Sequence, residues 1–339
     1  PPQDLIATIV SSYPFAHILP IDPKGSLPIA EGWLKFSPSK HKDKNRPLVR
    51  CCAEPHAKLK KLATRAGVAA LNRLTSLSAH LPTTSHLPAH LKSLESWAAT
   101  KPKDSTFFEF EDDAEGCYDN MDLQAGILAL ADLLAMVTTQ TGITGFFVPR
   151  LAHRFKPSPT NKPKPPFLTA VITFASLLAI VKWCAQFRYL QLGTLTLWQN
   201  GGFFQGDALS VLLVLSSLFM AEHKQAFLQG SLRSIRYVDD KWTVVHASDL
   251  QEAKAKLQGY NSCYDSSLTI TPEDPLLGSA WLFLGRLICR VSSSPLKFAT
   301  LSYVKNWMAP AFLPAPLLYS TFPQTPTQLF WSELPFNSY

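Results

Sequence analysis

The chain has 339 residues, of which 46% are hydrophobic and 17% are charged. This composition indicates a globular protein and excludes an intrinsically disordered chain, which would be richer in charge and poorer in apolar residues. The length predicts a sizeable core and two or three subdomains. The net charge of +7 is uneven, because residues 1–104 contain 15 Lys or Arg against 7 Asp or Glu. A basic first third predicts a polyanionic partner.

The six cysteines have neither the spacing of a zinc site nor that of a redox motif. We therefore expect free thiols in a reducing, intracellular compartment, either the nucleus or the cytoplasm. The longest apolar run, 167–181, is shorter than a membrane-spanning helix requires, so we expect a buried helix over about 167–190 and no membrane contact. No signal peptide is visible, and the chain begins without Met, as expected for a fragment of a longer polyprotein.

The basic N-terminal part predicts a hairpin and a helix. Residues 35–50 fit two strands joined by a basic turn, whose Lys and Arg side chains suit phosphate groups, although charge alone favours a solvated loop. Pro55 favours the first turn of a helix that extends to about Leu77. This helix carries a basic stripe that either follows a nucleic-acid backbone or is a solvated face; its members are Lys58, Lys61 and Arg65.

An acidic strand and a helix are predicted next. Phe107–Asp113 begins with apolar residues and ends with carboxylates, and Asp119 or Asn120 can cap a helix that follows to about Val137. Residues 149–166 contain six prolines among basic side chains, which predicts a stiff surface loop.

Glycines at 201–206 precede an apolar helix that extends to about Met220, and they permit close approach of the backbone to a ligand. Residues 235–245 then predict a hairpin with two adjacent carboxylates at its tip. Carboxylate oxygens are the ligands that Mg²⁺ prefers. Taken alone, however, the tip is better explained as a solvated turn, because Asp favours turns for local reasons. A second hairpin is expected at 281–289.

In their order along the chain, these segments resemble the motifs of the reverse transcriptase family. Asp113, followed five positions later by Tyr118, looks like the first catalytic motif. Tyr237-Val238-Asp239-Asp240 matches the family's Tyr-x-Asp-Asp motif. Residues 202–210, with Gln205 and Gly206, resemble the glycine-rich Pro-Gln-Gly segment.

Two further segments extend the resemblance to about residues 35–290. Lys40 and Arg46 look like the fingers residues that hold the incoming triphosphate. The hairpin at 281–289 resembles the family's primer grip, formed by Phe283, Leu284 and Gly285. Five motifs in the family's order are a much more specific signal than any one of them.

The resemblance implies an α+β fold of the right-hand polymerase type, with an antiparallel palm sheet, fingers and a short or truncated thumb. It implies template-directed DNA synthesis with dNTPs on an RNA or DNA template, extending a nucleic-acid primer. Two Mg²⁺ ions, or Mn²⁺ in their place, would stabilise the attacking and leaving oxygens of an in-line displacement. Their implied ligands are Asp113, Asp239 and Asp240. Tyr118, Gln205 and Gly206 would line the nucleotide site, and an aromatic residue at 118 would exclude a 2′-hydroxyl.

The sequence departs from the family pattern at three places. Phe204 stands where Pro is common, Val211 follows Ser210 where Pro is common, and no Lys lies beside a Gly after residue 260. The long gap between the first two motifs is similar to Penelope-like retroelements. The alternatives are an RNA-dependent RNA polymerase and a decayed or domesticated nucleic-acid-binding protein without polymerase activity.

The same resemblance predicts how the chain is divided into domains. We expect a basic fingers part at 1–104, the first palm strand at 105–122, an insertion at 123–196, the rest of the palm at 197–290, and a partial thumb or tail at 291–339. The oligomeric state is left open.

Overall fold

The computed structural model describes residues 2–37, 42–51, 53–74, 79–102, 105–150, 155–225, 230–266, 268–273, 280–284 and 286–302. Within these residues the chain forms a mixed fold of eight α-helices and fourteen strands, arranged in four sheets with predominantly antiparallel pairing. The predicted α+β class is confirmed at this level.

A four-stranded antiparallel sheet forms the centre of the molecule, in the order β11-β3-β10-β9. Its strands are β3 (Thr106–Glu115), β9 (Leu232–Tyr237), β10 (Asp240–Ala247) and β11 (Thr269–Glu273). The register of β3 against β10 extends without a bulge from the pair Asp113 and Asp240 to the pair Thr106 and Ala247. A continuous register fixes which side chains of the two strands share a face.

Both faces of the central sheet are covered. On one face, Val245 packs with Tyr260 of helix α8 (Leu250–Asn261). On the other face, Trp242 and Val244 join a second cluster, with helix α3 (Leu87–Ala98) and the three-stranded sheet β12-β13-β14. The strands of that sheet are β12 (Ala280–Phe283), β13 (Arg286–Ser293) and β14 (Leu296–Ser302).

The largest core lies among four helices. These are α2 (Ala57–Leu71), α5 (Leu123–Thr141), α6 (Phe174–Cys184) and α7 (Ala208–Lys224). Helices α2 and α7 cross closely, because Gly67 leaves room for Leu212, whose side chain a Cβ at this position would overlap. Helix α1 (Pro2–Ser11) adds Ile9 to the same core, and the short α4 (Cys117–Asn120) adds Cys117.

Two smaller sheets complete the described structure. One has the order β2-β1-β7-β8 and the other has the order β5-β4-β6. The strands of the first are β1 (Ile29–Ser37), β2 (Lys42–Arg50), β7 (Tyr189–Leu192) and β8 (Leu195–Trp198). The strands of the second are β4 (Gly145–Pro149), β5 (Ser158–Pro159) and β6 (Thr169–Thr173).

The three predicted hairpins are confirmed as the pairs β1–β2, β9–β10 and β12–β13. The helix expected over 167–190 is wrong at both ends, because Thr169–Thr173 pairs with β4 as a strand and α6 ends at Cys184, before β7. Thr173 then caps α6 by accepting a hydrogen bond from the Ser176 backbone N–H at 3.0 Å. A short apolar run cannot by itself distinguish a buried strand from a buried helix.

Other predicted boundaries also change. The cap of α5 is Asp122, which accepts from the Ala125 backbone N–H at 2.7 Å, and not Asp119 or Asn120. Helix α2 ends at Leu71, six residues before the predicted Leu77. Residue 291, near which we expect the thumb to begin, lies inside β13, and this domain boundary stays a prediction.

Helix α5 is long and apolar enough to cross a membrane by length and composition alone. Six of its residues nevertheless lie buried in the protein core, including Leu130, Leu133 and Leu134. The helix therefore contributes a core face to this fold.

Replacing a buried leucine of α5 should destabilise the protein, whereas replacing an exposed one should not. Leu133 is fully buried and Leu128 is 64% exposed on the same helix. We expect Leu133→Ala to lower the free energy of unfolding by about 2–5 kcal/mol, and Leu128→Ala to change it by less than about 0.5 kcal/mol. Urea unfolding monitored by circular dichroism measures both. Equal effects of the two substitutions would contradict the packing of α5.

Candidate active site

Three aspartates lie at one end of the central sheet. Asp113, near the end of β3, lies directly opposite Asp240, the first residue of β10. Asp239 precedes it in the β9–β10 turn, and its carbonyl oxygen accepts a hydrogen bond from the Ala114 backbone N–H at 3.1 Å. All three aspartates are partly exposed. The fold thus places Asp113 and Asp239, which lie 126 residues apart in the sequence, at the same end of the sheet.

The surroundings of this cluster are electronegative. Burial, together with the nearby carboxylates of Asp239 and Asp113, raises the pKa of the Cys117 thiol to about 12. Burial and the charges of Asp240 and Asp239 likewise raise the pKa of Tyr237. Burial is the larger cause of both shifts, and the negative charge of the aspartates adds to it.

The neighbouring acidic residues of β3 have structural partners. Asp112 points to the opposite face, where its Oδ2 lies 3.0 Å from Nζ of the buried Lys241 and accepts from Asn261 Nδ2 at 3.3 Å. Burial lowers the pKa of Lys241, although Asp112 opposes this effect. Glu109 is 2.5 Å from Nε of Arg290. Asp113 is therefore not one of several equivalent carboxylates on a solvated edge.

The turn that carries Asp239 has an unfavourable backbone conformation. Val238 has φ +55°, and it occupies the first central position of a two-residue hairpin turn. Turns that match the twist of a hairpin require positive φ there, which a β-branched residue adopts at a cost of about 1–3 kcal/mol. The surrounding structure must therefore hold this turn in place.

A buried ion pair supplies that support. Arg236, at 1% exposure, binds both carboxylate oxygens of Glu222 on α7, through Nε and through Nη2 at 3.2 Å. Its Nη1 donates to the carbonyl oxygen of Val238 at 3.0 Å. Tyr264 donates its hydroxyl to Glu222 Oε1 at 2.8 Å. The guanidinium thus joins the β9–β10 turn directly to the long apolar helix α7.

The glycine-rich loop packs on the turn that carries Tyr118. The Phe203 backbone N–H donates to the Tyr118 carbonyl oxygen. Gly202 has φ +62°, and a Cβ there would overlap the backbone of Tyr118 and Asp119. Arg188 Nη2 donates to the carbonyl oxygens of Gly201 and Gly202, at 2.9 and 2.6 Å. The structure therefore places the loop of 201–206 beside Tyr118.

The other end of the loop contacts β2. The Val49 backbone N–H donates to the Gln205 carbonyl oxygen at 2.8 Å, and a Cβ on Gly206, where φ is +108°, would overlap the Val49 carbonyl oxygen. Phe204 is buried with Val49 and Cys51, which gives this departure from the family pattern a packing role. Arg46 lies on β2 opposite Trp33, and Lys40 lies outside the described residues.

Beneath the loop lies a buried charge cluster. Nζ of Lys60 is 2.8 Å from both Glu54 Oε2 and Asp207 Oδ2. Burial raises the pKa of Glu54 to about 7, against the influence of Lys60. Burial also opposes the charge of Lys60, but the carboxylates of Asp207 and Glu54 outweigh it and hold the pKa of Lys60 well above its ordinary value.

This cluster also has the donor set of a metal site. Ligand atoms of Cys51, Glu54 and Asp207 lie within 4.8 Å of one another. The Lys60 ammonium group already occupies the position between the two carboxylates. A cation is thus supplied by the chain itself, and the partly exposed aspartates are the better candidates for a catalytic metal.

The predicted primer-grip hairpin is present as β12–β13, but its first residue points inward. Phe283 is fully buried in the cluster behind the central sheet. Leu284 has φ +53° at the turn, and Gly285 lies outside the described residues. Phe283 therefore anchors the hairpin in the core, and the role of the hairpin as a primer grip stays a prediction.

Three residues that support the candidate site were not predicted from the sequence: Lys60, Arg188 and Arg236. A signal existed for one of them. Glu222 is a carboxylate near the end of an otherwise apolar helix, and such a residue requires a buried partner. Nothing in the sequence identified which cation that partner would be.

No protein-family model matches the sequence, and no curated protein matches it. Solved structures do match this chain. Telomerase from Candida albicans, in complex with a TWJ fragment of telomeric RNA, superposes with a TM-score of 0.53 at 14% identity, over 89% of this chain and 51% of that one. Apo telomerase from Candida tropicalis gives 0.52 at 14% identity, over 87% and 52%.

These comparisons define the fold class. The chain has a polymerase-like fold and spans about half the length of the telomerase structures that it resembles. At this level of identity the likeness is one of fold, and the activity of this chain has to be argued from its own residues.

Removing Arg236 should be more harmful than removing the whole ion pair. Arg236→Leu leaves Glu222 buried without its cation, and we expect a loss of about 3–5 kcal/mol in the free energy of unfolding. Arg236→Leu combined with Glu222→Gln should recover most of this loss, since Gln can still accept from Tyr264. Urea unfolding provides the measurement, and the exposed Arg73→Leu is the matched control. A fully stable Arg236→Leu protein would contradict the ion pair.

Proposed function

We propose that this chain is the polymerase part of an RNA-directed DNA polymerase encoded by a retroelement. The observation that carries the proposal is the register that sets Asp113 opposite Asp240, with Asp239 in the adjoining turn. The glycine-rich loop on Tyr118 and the polymerase-like fold support the same function. The Penelope-like type rests on the sequence resemblance alone.

The three aspartates fit a divalent metal of the Mg²⁺ type. They supply only oxygen donors, they are partly exposed, and they raise the pKa of neighbouring acidic groups. Asp113, Asp239 and Asp240 would hold two Mg²⁺ ions, with Mn²⁺ as a substitute. When bound, such ions stabilise the negative charge on the attacking and leaving oxygens of nucleotidyl transfer.

The remaining residues bind and orient the substrates. In this proposal Lys40 and Arg46 neutralise the triphosphate, and Gln205 and Gly206 line the template side of the base pair. Gly206 fits that place because its backbone lies against Val49 of β2, the strand that also carries Arg46. Tyr118 packs under the sugar of the incoming nucleotide.

Two other functions give different results in the same assays. An RNA-dependent RNA polymerase would share the carboxylates but accept NTPs. A nucleic-acid-binding protein without polymerase activity would keep salt-sensitive binding and synthesise nothing. The retained carboxylates and their buried support favour a polymerase over the second alternative.

Primer extension on a poly(rA) template with an oligo(dT) primer and Mg²⁺ tests the proposed activity. Asp113→Asn and Asp239→Asn should each lower the rate about a thousandfold or more, because each removes a carboxylate that would hold the metal. Asp132→Asn, at an exposed position of α5, makes the same change in charge and should leave the rate unaltered. Full activity of Asp239→Asn would exclude the proposed site.

A measurement of thermal stability tests the proposed metal site independently of activity. In EDTA, Asp239→Asn should change the melting temperature little, because Asp239 is partly exposed in a turn and such substitutions usually alter the free energy of unfolding by less than about 0.5 kcal/mol. Mg²⁺ should raise the melting temperature of the unsubstituted protein and not that of the variant. An equal response to Mg²⁺ in both proteins would place the ion elsewhere.

Sugar selectivity provides a separate test of Tyr118. Tyr118→Ala should raise the kcat/KM for NTPs relative to that for dNTPs by about 10- to 100-fold, because it removes the ring that excludes the 2′-hydroxyl. Tyr118→Phe keeps the ring and should retain the preference for dNTPs. Single-nucleotide incorporation with each substrate gives the ratio. A preference for NTPs in the unsubstituted protein would instead indicate an RNA polymerase.

A further inference from the structure

Two long stretches of the sequence contain no acidic residue. Residues 55–94 include six Lys or Arg and no Asp or Glu, and residues 133–206 include seven Lys or Arg and no Asp or Glu. The fold packs these stretches together, because α2 lies against β4, β6 and α6. Neither stretch therefore contributes an acidic side chain where the two pack together, although the whole chain has 25 acidic residues.

The basic side chains of α2 divide between its two sides. Lys60 is buried against Glu54 and Asp207, whereas Lys58 and Lys61 are exposed. Arg65, on the same stripe, donates from Nη1 to the carbonyl oxygen of Pro149 at 2.6 Å and from Nη2 to that of Phe155 at 2.7 Å. Arg65 thus fixes the segment that follows β4 beside the exposed lysines of α2.

That segment presents an aromatic ring among further lysines. Phe155 stacks on Phe167 with ring centroids 4.6 Å apart and an interplanar angle of 21°, and Phe155 is 49% exposed. Phe167 therefore supports one side of the Phe155 ring and leaves the ring open to solvent elsewhere. Three lysines of the same proline-rich segment are exposed: Lys156, Lys162 and Lys164.

We propose that this basic surface, formed by Lys58, Lys61, Phe155, Lys156, Lys162 and Lys164, binds single-stranded nucleic acid. The lysines would contact phosphates, and one base would stack on Phe155. Among the described residues, no carboxylate forms an ion pair with any of the five lysines, so their charge is available to a polyanion. The choice of nucleic acid rests on the proposed polymerase function.

An aromatic ring beside the lysines favours a single strand over a duplex, because the bases of a duplex already stack on one another. Lys58 and Lys61 are exposed, whereas Lys60 of the same helix is buried against Asp207, so the surface lies on the solvent side of α2 and shares no residue with the three aspartates. Binding there should therefore survive the loss of polymerase chemistry.

Fluorescence anisotropy of a labelled 20-nucleotide RNA, measured in EDTA over a series of salt concentrations, tests the proposal. Lys156→Gln, Lys162→Gln and Lys164→Gln together should weaken binding and lower the slope of log K against log salt by about 2, since each lost phosphate contact removes about 0.7. Phe155→Ala should weaken binding about tenfold without changing the slope. The control neutralises three exposed lysines elsewhere: Lys24, Lys92 and Lys254.

A melting temperature equal to that of the unsubstituted protein shows that each variant is folded. The variant with Lys156, Lys162 and Lys164 replaced by Gln is the loop variant. Equal binding by the loop variant and the control variant would overturn the proposal. So would a loop variant that loses only its binding to phosphatidylserine vesicles, because the surface would then serve a membrane. Asp239→Asn should bind RNA as the unsubstituted protein does. Normal RNA binding without primer extension would thus count against the polymerase function and not against the basic surface.

Discussion

The register between β3 and β10 is the constraint on which the candidate site depends. It places Asp113 opposite Asp240 and, one position further along, Asp112 opposite Lys241. Because successive side chains of a strand point to opposite faces, two adjacent aspartates acquire different roles. One is buried and paired with a lysine, and the other lies partly exposed at the end of the sheet. A shift of one residue in this pairing would exchange them.

Buried charge holds the rest of the site around that register. The Arg236 and Glu222 pair connects the strained turn at Val238 to α7. The Lys60 cluster connects α2 to the first turn of the same helix, through Asp207. Helix α7 thus carries one ionic anchor near each end, at Asp207 and Glu222, and its apolar middle fills the largest core. Such pairs position the elements more than they stabilise the fold, because burying a charge offsets much of what the pairing gains.

Much of this arrangement could be predicted from the sequence, but contacts between distant segments could not. Local patterns located the β9–β10 hairpin and most helices, since alternation and caps act over a few residues. Thr169–Thr173 was mistaken for the start of a helix. Its partner strand β4 lies 20 residues earlier, so the pairing cannot be recognised from the local sequence. The proximity of Asp113 and Asp239 rested on motif resemblance. Their supports, Arg236 and Lys60, depend on contacts between distant segments that spacing does not reveal.

The buried cluster at Lys60 links the stability of the fold to pH. Burial, together with the charge of Asp207, raises the pKa of Glu54 from 4.5 to about 7, against the opposing effect of Lys60. The folded chain therefore holds a proton on this carboxyl group more tightly than the unfolded chain does, and this contribution to stability is lost as the pH rises through 7.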